Sequence, residues 1–209
     1  MNNYEVLNAE QLVSEHDPFT AGRYRQFHRF FQPGAIRVLD IGCNTGRGGE
    51  VLKALDPKLQ VVGLDSVEDR LNRISPEVYT RTVHGVCTDI PCSDGEFDVV
   101  VAGEVLEHLY PADVDKTLAE VFRVLKLGGR FLMTTPNPGY LKSLVQRTSI
   151  MHDPSHLTQH YPDVLKLRMR MIGFSRVRIR GSGKATHFLG YRFPWLRAYG
   201  SFLATGDKW

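Results

Sequence analysis

The stretch Val38-Leu39-Asp40-Ile41-Gly42-Cys43-Asn44-Thr45-Gly46 decides how this 209-residue sequence reads. Its first four residues make a short apolar strand, and the glycines that follow permit a tight turn. Thr45 is a favoured N-cap residue, so a helix is expected to begin there. Strand, glycine-rich turn and helix N-terminus together form the usual cradle for a nucleotide-like ligand. Asn44 stands where a dinucleotide fingerprint has its second glycine, which counts against a nucleotide-dependent oxidoreductase. Two acids frame the turn: Asp40 opens it, and Asp65 closes the next strand. A carboxylate at that strand end suits the paired hydroxyls of a ribose.

Outward from this stretch, strands and helices alternate. On the N-terminal side, residues 1–16 read as a polar, loose lead-in. The segment from Asp17 to Phe31 carries Phe19, Tyr24, Phe27, Phe30 and Phe31 mostly three or four apart, the spacing of a helix. Downstream, the pattern predicts a helix to Leu55, a strand over Gln60–Leu64, a short helix over Val67–Ile74 and a strand over Thr80–Cys87. The nearly all-apolar Phe97–Ala102 reads as a parallel strand buried on both faces. A helix over Asp113–Leu125, ended by Gly128-Gly129, leads to a strand over Arg130–Thr135. Further helices are expected over Tyr140–Thr148 and Pro162–Ile172, then a strand over Ser175–Arg180 and a last strand over Tyr199–Ala204. This order implies an α/β fold with a mostly parallel sheet and helices on both faces. It reads as a single domain, 1–209: a helical lead-in (1–36), a ligand-binding core (37–137) and an acceptor-side region (138–209).

Composition sets bounds on the setting. The chain is 42% hydrophobic and 23% charged, ordinary for a globular protein. MNNYEVLNAE has neither the charged nor the apolar region of a signal peptide, and no apolar run approaches the ~20 residues of a membrane span. Cys43, Cys87 and Cys92 form no metal-type pair, and an odd count argues against a disulfide framework. A reducing cytoplasm is the expected location. The net charge of +3 is unevenly spread, with eleven Lys and Arg against two acids, Asp153 and Asp163, between Lys142 and Arg197. That segment is either a solvated basic face or a face for an anionic acceptor.

The run VLDIGCNTG resembles the first motif of the class I S-adenosylmethionine (SAM)-dependent methyltransferases. GLD at 63–65, TDIP at 88–91, FDVVVAGEVLEHL at 97–109 and LKLGGRFLMTTPN at 125–137 follow in that family's order. The resemblance covers Arg37–Asn137 and implies a Rossmann-like, seven-stranded sheet with an antiparallel last strand. It further implies that Gly42, Asn44 and Gly46 serve the amino-acid end of SAM, while Asp40 holds either the turn or the methionine amine through a water. Asp65 with Ser66 would hold the ribose, and Asp89 with the Ile90 backbone would read the adenine.

Methyl transfer from a sulfonium is an in-line displacement, so the protein mainly supplies proximity and alignment. A hydroxyl acceptor must also lose its proton, to a base or under the influence of a metal. Glu104-Val-Leu-Glu107-His108 begins at the end of the fourth strand, beside the expected methyl position, and Glu104 also remains a candidate cofactor contact. This E-x-x-E-H string resembles two metal-dependent O-methyltransferase groups, the ubiquinone-pathway enzymes and the small-RNA 3′-end 2′-O-methyltransferases. In those, two glutamates and two histidines hold a divalent ion. The resemblance implies Glu104, Glu107, His108 and His156 as ligands for Mg²⁺, Mn²⁺ or Zn²⁺, with His152 and His160 as rivals for the fourth place. Without a metal, His156 or His152 is the candidate base. The expected substrate is a polar or anionic small molecule, glycan or lipid-linked glycan. A nucleic acid is less favoured, and a non-catalytic SAM-binding subunit is the remaining rival.

Overall fold

The computed structural model describes residues 3–9 and 16–209. Its strands are β1 (Arg37–Ile41), β2 (Gln60–Asp65), β3 (Arg81–His84), β4 (Phe97–Gly103), β5 (Leu125–Pro136), β6 (Ser175–Ser182) and β7 (Ser201–Asp207). They form one sheet in the order β3-β2-β1-β4-β5-β7-β6, and β7 runs antiparallel to both of its neighbours. The order reverses between β1 and β4, where a crevice opens at the carboxyl ends of the strands. The helices are α1 (Asn3–Ala9), α2 (Thr20–His28), α3 (Arg47–Leu55), α4 (Glu68–Asn72), α5 (Pro111–Val124), α6 (Leu141–Val145), α7 (Pro162–Ile172) and α8 (Thr186–Leu189).

Period-two alternation in the strands builds a core on each side of the sheet. Phe131, Met133, Phe202 and Ala204 pack with Val114, Leu118 and Val121 of α5 and with Leu165 and Met169 of α7. Leu132, Leu203, Val99 and Val101 face the opposite way, toward Tyr24 and Phe27 of α2 and Leu52 of α3.

Several boundaries differ from the sequence expectation. The lead-in contains α1: the Tyr4 hydroxyl donates to Asp113 at 2.6 Å and accepts the Tyr110 N–H at 3.0 Å, which ties the segment down. Residues 1, 2 and 10–15 of the expected loose lead-in lie outside the described residues. Helix α3 starts at Arg47, with Gly46 rather than Thr45 at its N-cap, because Gly42, Asn44 and Gly46 all adopt positive φ and carry the turn two residues further. Gly128-Gly129 does not end a helix. Helix α5 stops at Val124, and the glycines lie inside β5, where Gly128 adopts φ +81.

One set of contacts organises the centre. The Asp40 carboxylate accepts the Tyr24 hydroxyl at 2.6 Å and the Tyr79 hydroxyl at 2.7 Å, with none of its surface exposed. To reach it, both rings lie across the start of α3. A Cβ on Gly48 would stand 2.1 Å from the Tyr24 ring, and one on Gly49 would stand 2.5 Å from the Tyr79 ring. Gly48→Ala should therefore cost roughly 1–3 kcal/mol in urea unfolding, the usual range for overpacking. Gly22→Ala, in α2, where an added Cβ meets nothing within 4 Å, should be neutral or gain up to about 1 kcal/mol. Equal effects of the two substitutions would show that the tyrosines do not impose the glycines.

Candidate functional site

The crevice is the mouth of a cavity of about 1990 Å³. The turn after β1 lines it with Gly42, Cys43 and Asn44, and the end of β2 adds Asp65 and Ser66. Asp65 is buried, and its carboxylate accepts the backbone N–H of Asn44 at 2.8 Å and of Val67 at 3.0 Å. Burial pushes the Asp65 carboxyl above its ordinary range, while these N–H donors oppose the rise. Each of its oxygens keeps lone-pair capacity for a further donor, which suits a pair of ligand hydroxyls. Asp40 and Gly46 stand behind the turn and do not line the cavity.

Beyond β3 the wall is made by Gly85, Val86 and Cys87. Asp89 is exposed outside it, and the Ile90 N–H donates to Glu120 at 2.8 Å. The cavity wall is thus three or four residues upstream of Asp89 and Ile90, because the chain leaves β3 early and folds back in a Val86–Asp89 bridge. Tyr4, Leu7 and Asn8 of α1 close the same end, with the Asn8 amide donating to the Ser66 hydroxyl at 3.2 Å. Sequence reasoning passed over α1, although Tyr4 and Leu7 stand one helical turn apart.

At the other end, β4 is followed directly by Glu104, a non-glycine residue at φ +58. Such left-handed residues cost roughly 1–2 kcal/mol and gather at functional sites. Glu104 Oε1 is buried without a hydrogen bond, 3.7 Å from Arg23 Nε. Burial disfavours the charge of Arg23, but Glu104 and Asp17 outweigh it and hold the guanidinium above its ordinary pKa. The chain then makes a short 3-10 turn, Leu106–His108. Glu107 is fully buried; its Oε2 accepts the Thr135 hydroxyl at 3.0 Å, and its Oε1 has no hydrogen-bond partner. Burial, with the Glu104 charge next, raises the Glu107 carboxyl well above its usual range.

The 149–160 loop docks on this turn. The N–H groups of Leu157 and Thr158 donate to the Glu107 carbonyl at 2.8 and 3.0 Å, and the Thr158 hydroxyl donates to the Leu106 carbonyl. His108 Nδ1 donates to the Ser155 carbonyl at 2.9 Å, and His156 Nδ1 to the Ile150 carbonyl at 2.6 Å. A neutral imidazole that donates through Nδ1 has its acceptor on Nε2, and burial lowers the pKa of His108. Glu107, His108 and His156 bring one ligand atom each within 4.8 Å of one another. His152 instead helps cap its own turn, its Nδ1 3.4 Å from the Ser149 N–H, and does not line the cavity. His160 is buried with Nε2 3.0 Å from the Thr158 hydroxyl.

Residues 39–133 match a family model described as a methyltransferase domain. Over this segment the chain is similar to class I SAM-dependent methyltransferases. It is 39% identical over 103 residues to a "Probable S-adenosylmethionine-dependent methyltransferase" of Mycolicibacterium smegmatis, covering 48% of this chain and 38% of that protein. It is 32% identical over 148 residues to a demethylmenaquinone methyltransferase of Symbiobacterium thermophilum, covering 62% and 53%. The chain spans about half the length of the curated relatives it matches. In fold it is similar to a SAM-dependent methyltransferase from Archaeoglobus fulgidus, with a TM-score of 0.71 at 22% identity over 91% of this chain and 93% of that one. Among the described residues, no helix is long and apolar enough to cross a membrane.

Within the matched segment, Asp40 supports the turn from behind, and its ionisation is linked to folding. Burial pushes its carboxyl up to about 7, against the two tyrosine hydroxyls, with the Asp65 charge adding to the rise. The unfolded value is about 3.9, so this group favours the native state most below pH 4 and the benefit is lost as pH rises towards 7. The stability of the wild type relative to Asp40→Asn should fall by roughly 3–4 kcal/mol between pH 4.5 and 8 in urea titrations. A constant difference across that range would mean that Asp40 is ionised throughout.

Proposed function

We propose that this chain is a SAM-dependent methyltransferase that methylates an oxygen of a polar small-molecule or glycan acceptor. The Gly42–Asn44 turn faces the amino-acid end of SAM, Asp65 and Ser66 the ribose, and Val86 and Cys87 the adenine. Glu104, Glu107, His108 and His156 then stand at the methyl end. The new O–CH₃ bond forms as the S–CH₃ bond breaks in line with it, and the acceptor proton must leave. The observation that carries this reading is Glu107 Oε1, buried without a hydrogen-bond partner and grouped with two imidazoles.

An orphaned carboxylate oxygen grouped with two imidazoles fits a divalent cation; Glu104, expected as a further ligand, is not among the three residues so grouped. The carbonyls of Ser155 and Ile150 fix the two rings, as second-shell acceptors do in metal sites. Mg²⁺, Mn²⁺ or Zn²⁺ would suit the mixed carboxylate and imidazole set, and when bound would lower the pKa of the acceptor hydroxyl. His156 Nε2 can accept a proton at the same place, so the chain's own residues supply a base beside the reacting oxygen.

Calorimetric titration separates these parts. S-adenosylhomocysteine should bind the wild type, and Asp65→Ala should lose most of that affinity, whereas NAD should not bind. Mn²⁺ should bind once per chain and be removed by EDTA. Glu107→Gln and His156→Ala should each weaken it at least ~10-fold, the low end of what even second-shell changes cost, and leave S-adenosylhomocysteine binding intact. No binding of Mn²⁺, Mg²⁺ or Zn²⁺ would remove the metal and leave His156 as the base. No binding of S-adenosylhomocysteine would remove the methyltransferase reading itself.

A further inference from the structure

A second cavity, of about 340 Å³, lies on the α2 side of the sheet where α2 stops covering it. The alternation that turns Leu132 and Leu203 inward to Phe27 places Arg130 of β5 on the same face, one step beyond the end of the apolar core. On β6, Val177 is buried on the α7 side, so Arg178 and Arg180 stand on the α2 side. A register shift between Ser175 and Arg178, with Arg176 at φ +49, turns Arg176 into the same cavity. Four guanidiniums thus line one cleft, with Phe30 as its wall and Asp207 as its acid.

The charges do not balance. Asp207 is consumed by Arg130, which forks onto it at 2.6 and 2.9 Å and donates to the Phe30 carbonyl. Arg176, Arg178 and Arg180 make no ion pair among the described residues. Two of them are held in place by rings: Arg180 lies 4.6 Å from the centroid of Phe30 and Arg176 4.5 Å from that of Trp209. Burial, with the neighbouring Arg178, Arg192 and Arg130, disfavours the charge on Arg180. Stacking fixes the plane of each guanidinium, and Arg180 spends one N–H on the Thr205 hydroxyl at 3.4 Å, which leaves further donors for an oxyanion. Alternate residues on a strand are about 6.6–6.8 Å apart, so the row spans more than one oxyanion.

We infer that this arginine cleft binds a phosphate-bearing group, a phosphomonoester or a diphosphate. Three uncompensated guanidiniums suit a di- or trianion with several oxygens, which takes forks from more than one arginine where a carboxylate takes one. The cleft also borders the methyl cavity. Phe30 packs on Tyr191, Arg29 stacks over that same ring, and Arg29 and Tyr191 both line the large cavity. A phosphorylated molecule could therefore be held by its anion beside the place where methyl transfer is proposed.

Each variant is checked for folding by its urea unfolding transition, so the test holds whether or not S-adenosylhomocysteine binds. Inorganic diphosphate and glucose 1-phosphate are titrated calorimetrically into the full chain at constant ionic strength. Saturable binding is expected, weakened about tenfold or more in Arg178→Glu and Arg176→Glu, as loss of a charge-assisted contact implies. Arg178→Lys, which keeps the charge and loses the fork, should fall between. Tighter binding of the sugar phosphate would assign the site to a phosphorylated molecule, and equal binding to the free anion; either sustains the cleft. No saturable heat with the wild type, or the same affinity in all three variants, would overturn it and leave the row as a guard on an edge strand.

Discussion

A carboxylate sealed from water has to be given hydrogen-bond donors, and much of this fold follows from how Asp40 receives them. Tyr24 arrives from α2 and Tyr79 from the segment before β3, so two elements remote in sequence are drawn over the same turn. Their rings occupy the space above Gly48 and Gly49, and Tyr79 presses on Gly63 as well. The turn that lines the cavity is thereby clamped from behind. The same docking of α2 brings Arg23 to Glu104 on the far side of the crevice.

A second tie builds the other end of the site. The backbone carbonyl of Glu107 takes two N–H groups from the 149–160 loop, and that loop carries His156. Backbone pairing does the positioning, while the carboxyl and imidazole side chains remain turned to the cavity. Glu104 contributes through its backbone too. Its left-handed conformation turns the chain out of β4 and sets up the 3-10 turn that holds Glu107 and His108. Rigid main-chain anchors behind a polar cluster are what precise chemistry requires, since small misplacements of a reacting group are costly.

The two faces of the sheet are used differently. Helices α5 and α7 cover one face with apolar contacts. On the other, α2 and α3 cover only part of the sheet, and beyond Phe30 the exposed rows of β5, β7 and β6 carry charge instead. The basic bias of the last third is therefore not spread evenly over the surface; part of it is gathered on one strand face by period-two alternation.

The sequence by itself determined the α/β order, the crevice at the carboxyl ends of the strands and the family resemblance, because period, turn residues and local motifs are short-range properties. It also named Asp65, Glu104, Glu107, His108 and His156, each of which borders the cavity. Only the tertiary structure decided which histidine meets Glu107 and His108. His152, His156 and His160 are alike in sequence context, and the docking of their loop on the Glu107 carbonyl separates them. Likewise, the sequence left Asp40 either to hold the turn or to meet the ligand's amine, and the structure places it behind the turn. Whether an acid faces a cavity or a pair of tyrosines depends on side chains brought from 16 and 39 residues away. The cavity wall at Val86 and Cys87, the helix in the lead-in and the arginine row were hidden for the same reason: each is set by how distant segments pack, and no local pattern records that.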